Sequence, residues 1–368
     1  MRILIADSSI YNTIGHPHEW AKRIGQGLEK KGHSIIYAVN IKADITSLSD
    51  LKKIGHVAPT FHVDESKIGI GGLTAQEEVL LHEKAFQEML NFFLGIEDID
   101  IFIFPNATPA ALRAHALSET SARAKFIFHR DPVNWTCSPV LAKEIFQKAC
   151  RVALEKNSRF HLFTAEPELI KRLGKLNLGV EHQLLPYPLY THRQEKCSYR
   201  NTKFTIGFFG VQRPNKGIET IQILLKNVKL NNLHIIFHDG RNASNKEQIK
   251  ENVEIVGYVP NLDEIIARCH LVVLPYSLPA YDGCGSGVLM EAAALGIPIV
   301  CTAGTMPGNR LASFGSGELA SSDSFTDVWE ATKKVIVNYH SYKRAATETQ
   351  MLIKKIHGIE KAINQLTK

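Results

Sequence analysis

Two consecutive α/β domains, each a parallel sheet covered by helices, are what this sequence predicts. Three observations predict them. Short apolar runs and amphipathic stretches take turns along the chain, as strands and helices do in such sheets. The alternation halts in a polar segment, Tyr190 to Lys203, that has neither helical nor strand periodicity, and then begins afresh. A chain of 368 residues is also too long for one ordinary core and suits two domains of similar size.

The elements of the first half follow in order. "RILIAD" reads as a buried strand, and "HEWAKRIGQGLEKKG" as a helix with Trp20, Ile24 and Leu28 on one face and Gly32 as its stop. The strand "SIIYAV" comes next. "DIDIFIFPN", "AKFIFHRD", "RFHLFTAE" and "HQLLPYPL" are apolar runs bounded by turn residues, with helical stretches such as "PVLAKEIFQKACRVALEK" between the first three. They are expected as central strands of one sheet. The linker is placed at Tyr190 to Lys203. The second half then reads "FTIGFFG" strand, "KGIETIQILLKNV" helix, "NLHIIFHDG" strand, "VEIVGYV" strand, "NLDEIIARC" helix and "HLVVLPYS" strand. A glycine-rich loop, a helix and the strand "IPIVCTA" follow, and helices are expected from there to the end.

Composition narrows the function classes. Hydrophobic residues at 44% and charged residues at 22% describe a soluble globular chain without low-complexity runs. Cys137, Cys150, Cys197, Cys269, Cys284 and Cys301 lack CxxC spacing, so reduced thiols in a cytoplasm are expected rather than a disulfide framework or a zinc site. "MRILIADSS" resembles a strand entering a loop more than a leader peptide. The net charge of +6 and pI near 8.9 are compatible with peripheral contact with an anionic membrane. No basic stripe interleaved with aromatics points to nucleic acid.

Chemistry concentrates in "YDGCGSGVLMEAAALGIPIV", Tyr281 to Val300. Ligands of open parallel sheets bind beyond the carboxyl ends of the strands, often at helix N-termini. Here the amides of Gly285, Ser286 and Gly287 would begin a helix, where free N–H groups and the helix dipole favour phosphate. Glu291, about one turn further, would repel that phosphate and accept instead from neutral hydroxyls such as a ribose diol. A tight glycine turn with a solvated glutamate is the alternative. In "FFGVQRPNKGIETI", Gly210 follows a strand and Lys216 opens a helix, with Arg213 in the same loop. Both cations are either a basic lip for the same phosphate or ordinary surface side chains.

These residues resemble the C-terminal domain of family 4 glycosyltransferases, retaining enzymes with the GT-B fold. "GFFGVQRPNKG", "VEIVGYV", "LPYS" and "GCGSGVLMEAAALGIPIV" follow one another in that family's order over Thr205 to Thr302. The first half is similar more loosely. "IGHPHEWAKRIGQGLEKKGHSIIYAV" has Gly15 at a usual glycine with His16 beside it, and "IFHRDP" resembles the family's His-Asp strand end with Arg130 inserted between His129 and Asp131. The resemblance implies a fold of two Rossmann-like domains whose parallel sheets face a central cleft. It also implies an acceptor-binding domain at 1–190, a nucleotide-sugar-binding domain at 204–345, and a helix at 346–368 crossing back to the first domain.

By resemblance the chemistry is transfer of a sugar from a nucleotide-sugar donor to an acceptor hydroxyl with retention, without a metal or a cofactor. The acceptor would be a glycan, glycolipid or protein, in bacterial-type glycan or polysaccharide assembly. Gly15, Gly210, Arg213, Lys216, Tyr258, Gly285, Ser286, Gly287 and Glu291 are implied contacts of the nucleotide sugar, and His129, Asp282, Arg213 and Lys216 carry the catalytic expectation. Two positions depart from the family. Gly283 stands where its first glutamate is usual, with Asp282 one residue early, and Val211 stands where an arginine is usual, leaving Arg213 as the shifted substitute. These departures keep two alternatives open, a catalytically weak nucleotide-sugar-binding partner of another transferase and a GT-B epimerase or phosphorylase.

Overall fold

The computed structural model describes residues 1–13, 15–64, 73–133, 138–190, 203–227, 232–239, 252–259 and 261–368. It divides into two units, Met1–Pro188 with Gly358–Lys368, and Leu189–His357. The expected linker lies outside the described residues, save for Tyr190 and Lys203 at its ends.

The first unit begins with β1 (Arg2–Ala6), α1 (His16–Glu29), β2 (Ser34–Asn40), α2 (Ser49–Lys52), β3 (His56–Phe61) and α3 (Ala75–Leu94). It continues with β4 (Ile101–Phe104), α4 (Pro109–Leu117), β5 (Arg123–Ile127), α5 (Pro139–Glu155), β6 (Phe160–Thr164), α6 (Pro167–Gly174) and β7 (His182–Leu184). Its strands form one parallel sheet in the order β3-β2-β1-β4-β5-β6-β7. The stripe Trp20, Ile24 and Leu28 is buried as α1's spacing requires. In the core Phe104 stacks on Phe126 at 5.0 Å, and Phe93 meets Phe102 edge-on at 4.9 Å. The edges of the sheet correct two expectations. β7 is an outer strand rather than a central one, and β3 has no strand signal in the sequence because Pro59 interrupts it. Proline lacks the N–H that a central strand would need, and β3 indeed lies at an edge.

The second unit contains β8 (Phe204–Phe208), a 3₁₀ turn at Pro214–Lys216, α7 (Ile218–Asn227), β9 (Leu233–His238), β10 (Val253–Val256), α8 (Leu262–Ile266) and β11 (Leu271–Leu274). After these come α9 (Leu278–Tyr281), α10 (Gly287–Ala294), β12 (Ile299–Thr302), α11 (Met306–Phe314), β13 (Gly317–Ala320), α12 (Phe325–Val337) and α13 (Tyr339–Ile356). The sheet order is β10-β9-β8-β11-β12-β13, again parallel throughout. Its core gathers Ile206, Phe208, Ile235, Phe237, Leu271 and Val273 from three strands, against Ile221 and Leu224 of α7. β13 overturns the expectation of helices alone after "IPIVCTA". "GELA" is too short and too mixed to announce itself, and pairing with β12 makes it a strand.

The expected single terminal helix is two. Gly358, at φ 129°, breaks it, because that backbone region is open to glycine and strained for other residues. α14 (Ile359–Leu366) then belongs to the first unit, while α13 remains with the second. α14 packs on α1 at Gly27, where an added Cβ would lie 2.6 Å from both Ile359 and Ile363. Among the described residues no helix is long and apolar enough to cross a membrane.

Candidate functional site

In both sheets the strand order reverses at one point, between β1 and β4 in the first unit and between β8 and β11 in the second. Such points open a crevice beyond the strand ends.

In the second unit, the loop leaving β8 is tied to the end of β9. Gly210 N–H donates to Nδ1 of His238 at 3.2 Å, and the Gln212 side-chain amide donates to the His238 carbonyl at 2.8 Å. Gly210 has φ +110°, and a Cβ there would meet Lys216 Nζ at 2.5 Å, so this glycine makes room for the lysine. The Lys216 ammonium lies 5.7 Å from the centre of the Tyr276 ring. On the loop after β11, Tyr276 stacks on Tyr281 at 4.1 Å, and its hydroxyl lies 3.3 Å from Ser286 Oγ. Ser286 in turn caps α10, accepting from Leu289 N–H at 3.3 Å. One buried tyrosine thus links the lysine to the helix start, across 70 residues of sequence. Desolvation holds the Tyr276 hydroxyl well above its usual range, so it remains a phenol.

The other residues singled out in this unit are placed as follows. Arg213 precedes the 3₁₀ turn, and its Nε is buried without a hydrogen-bond partner. Asp282 ends α9 and is half-buried, like Gly283, Gly285 and Gly287. Glu291 is half-buried in the second turn of α10. Tyr258, past the end of β10, is 42% exposed. His238 was not foreseen as part of this loop. Burial first, and Lys216 beside it, lower its pKa, so it serves as a neutral acceptor for Gly210.

In the first unit His129 follows β5 in an aromatic nest. Its ring meets Trp20 edge-on at 4.2 Å and His16 at 4.5 Å, and Trp20 meets Tyr187 at 5.1 Å. Gly15, at φ 99°, precedes the helix that carries His16 and Trp20. Burial pushes His129 down to about 3, so it is neutral at physiological pH. The Pro105 carbonyl accepts from its ring, while Nε2 is buried without a partner. Asp131 holds the chain rather than this ring, accepting from Val133 N–H at 3.0 Å, with Arg172 at 3.8 Å.

Asp7, directly after β1, is a residue that sequence reasoning passed over. Its Oδ1 accepts from the Ser9 N–H at 2.9 Å and the Ser9 hydroxyl at 2.5 Å, and Oδ2 is buried without a partner. Burial pushes the carboxyl up to about 6. Asn106, after β4, reaches Ser9 Oγ at 3.5 Å, so the cluster sits at the switch point of the sheet. A polar residue ending an apolar strand was the signal available. Among the described residues no group of three or more His, Cys, Asp or Glu could hold a metal ion.

Comparison with known proteins agrees with this architecture. Residues 193–350 match the family described as Glycosyl transferases group 1. No curated protein matches the sequence. Among solved structures, HepE of Anabaena in complex with UDP is similar over 100% of this chain and 98% of its own, at 15% identity and a TM-score of 0.66. The spinosyn rhamnosyltransferase SpnG complexed with thymidine diphosphate is similar over 100% of both chains, at 13% identity and 0.62. Sucrose-phosphate synthase from Thermosynechococcus elongatus is similar over 100% of this chain and 98% of its own, at 11% identity and 0.67. The chain therefore has the GT-B fold, and its residues 193–350 are similar to the family described as Glycosyl transferases group 1.

Proposed function

We propose that this protein transfers a sugar from a nucleotide-sugar donor to an acceptor hydroxyl with retention of anomeric configuration and without a metal ion. The observation that carries the reading is the grouping of Lys216, Tyr276 and the Ser286-capped start of α10 around one strand end. As the glycosidic bond to phosphate breaks, negative charge grows on the diphosphate. A lysine and the free amides of a helix start are fixed positive partners for that charge, and a donor of this kind is worth about 3 to 4 kcal/mol in the transition state. Arg213, with its unpartnered Nε, would complete the set.

Gly210, Gly285, Gly287 and Glu291 would contact the nucleotide, with Glu291 on the ribose diol, and Tyr258 would lie beside it. The acceptor half would be the first unit, taking a glycan, glycolipid or protein. Gly15 and His129 would lie near the sugar there, the latter as a neutral hydrogen-bonding ring. The substrate is the only nucleotide the reading requires, and no cofactor enters. The reading places the enzyme in the cytoplasm, in glycan assembly, and the net charge of +6 is compatible with peripheral contact with an anionic membrane.

The reading is tested by titrating UDP, dTDP and the matching nucleosides into wild-type protein and Lys216→Ala. Loss of diphosphate affinity with nucleoside affinity kept supports it, and equal losses overturn the lysine's role. Proton NMR of the product made from the bound donor then reports the anomer, and an inverted product would refute retention. Turnover unaffected by EDTA is expected. Gly283 in place of a carboxylate favours a second reading, a nucleotide-sugar-binding partner of another transferase, and tight donor binding with no turnover would select it.

A further inference from the structure

The loop that carries Lys216 is anchored by a residue outside it. His238 is the last residue of β9 and pairs with Val256 of β10. Ile235 and Phe237 of the same strand enter the core with Ile221 and Leu224 of α7, so strand alternation turns His238 the other way. There its ring is 7% exposed and meets the loop leaving β8. The 3.2 Å bond from Gly210 N–H to Nδ1 needs a neutral ring with its proton on Nε2. Burial is the main force holding the ring neutral. Asp239, next in the chain, opposes that shift, and Lys216, from the turn, adds to it.

Three contacts join this ring to the lysine. His238 holds the Gly210 amide, and the space left by the missing Cβ of Gly210 is the space the Lys216 ammonium fills. The Gln212 side-chain amide spans both residues, donating to the His238 carbonyl at 2.8 Å and lying 3.4 Å from the Gly210 carbonyl. Because its N–H is bonded to the ring, Gly210 offers a phosphate close approach rather than a hydrogen bond. Glycine also has the most backbone freedom to lose, and a tether on its amide removes that freedom on folding instead of on binding.

We propose that His238 is a positioning residue for the nucleotide diphosphate: by holding the Gly210 amide it fixes the loop that sets Lys216 near Tyr276, and it raises diphosphate affinity without touching the ligand. The inference rests on the assignment of Lys216 to the diphosphate under the proposed function. A loop that holds its binding conformation only part of the time binds more weakly by that fraction.

Two readouts test it. In the ligand-free protein, amide exchange at Gly210, followed by NMR, should be fast in His238→Leu, which fills the buried space but has no acceptor. Exchange should stay slow in His238→Asn, whose side-chain oxygen takes the place of Nδ1. Titration of UDP, dTDP, uridine and thymidine should then show the diphosphates bound roughly five- to tenfold more weakly by His238→Leu, the worth of about one hydrogen bond. His238→Asn should restore their affinity, and the nucleosides should bind all three proteins alike. Gln212→Ala, at a half-buried position that does not endanger the fold, should weaken the diphosphates in the same sense. Undiminished Gly210 protection, undiminished diphosphate affinity or an equal loss for nucleosides in His238→Leu overturns the proposal. So does rescue by His238→Gln but not by His238→Asn, because the longer amide replaces Nε2 and would mean direct contact with phosphate. Diphosphate affinity unchanged in Lys216→Ala refutes the functional reading itself, whereas affinity that depends on Lys216 and ignores His238 overturns this inference alone.

Discussion

Asp7 shows what burial does to one carboxyl. Held at about 6 against an ordinary 3.8, it binds a proton in the native state that the unfolded chain releases across that window. Stability contributed by this group therefore falls as pH rises from about 4 through 6, and the full penalty above that is about 3 kcal/mol. Asp7→Asn keeps the acceptor for Ser9 and removes the charge. It should be more stable than wild type at pH 7.5 and equal to it near pH 3.5, as read by urea unfolding at both values. Asp282 poses a chemical question instead. If it serves the sugar in place of the carboxylate that Gly283 lacks, Asp282→Asn should lower transfer at least tenfold, about 1.4 kcal/mol. Nucleoside diphosphate affinity, measured by calorimetry, should stay nearly unchanged, and undiminished turnover would assign Asp282 to the loop alone.

At the scale of elements, the loop between β8 and α7 is shaped by one glycine. Alanine at 210 would carry a backbone at φ +110° and place its methyl against the Lys216 ammonium. The strain costs about 1 to 2 kcal/mol, and the flexible lysine end is displaced from its place near Tyr276. Gly210→Ala should thus weaken UDP or dTDP binding about tenfold and leave the bare nucleoside unaffected, as titration of both ligands would report. The sequence showed this loop and the helix start as separate signals. Their meeting depends on Tyr276, whose ring contacts both sides, and nothing in "LPYS" shows which way a tyrosine will point.

At the scale of the whole chain, the first unit is completed by residues 358–368, which follow the whole second unit in sequence. Ala362, Ile363 and Leu366 of α14 are fully buried, so the segment contributes to that unit's core. Removing residues 358–368 would expose the α1 face around Gly27 and forfeit at least about 3 kcal/mol from the two large side chains. Hydrogen exchange should then show β1 to β7 deprotected while β8 to β13 keep their protection. Equal protection in both sheets would show that α14 is dispensable to the first unit.

What the sequence determined by itself is what short-range periodicity and turn chemistry encode. Trp20, Ile24 and Leu28 announce a helix face, apolar runs ending in glycine announce buried strands, and Ser286 before an apolar run announces a helix start. Two parallel α/β units follow from these, together with the strand ends where ligands gather. Tertiary structure alone decided what long-range packing controls. Pro59 hides an edge strand that pairs only because β2 is beside it, and "GELA" becomes a strand only on meeting β12. Gly358 returns the chain to the first unit. Asp7 and His238 look like ordinary titratable residues in the sequence, because the desolvation that shifts both arises only once distant elements close over them.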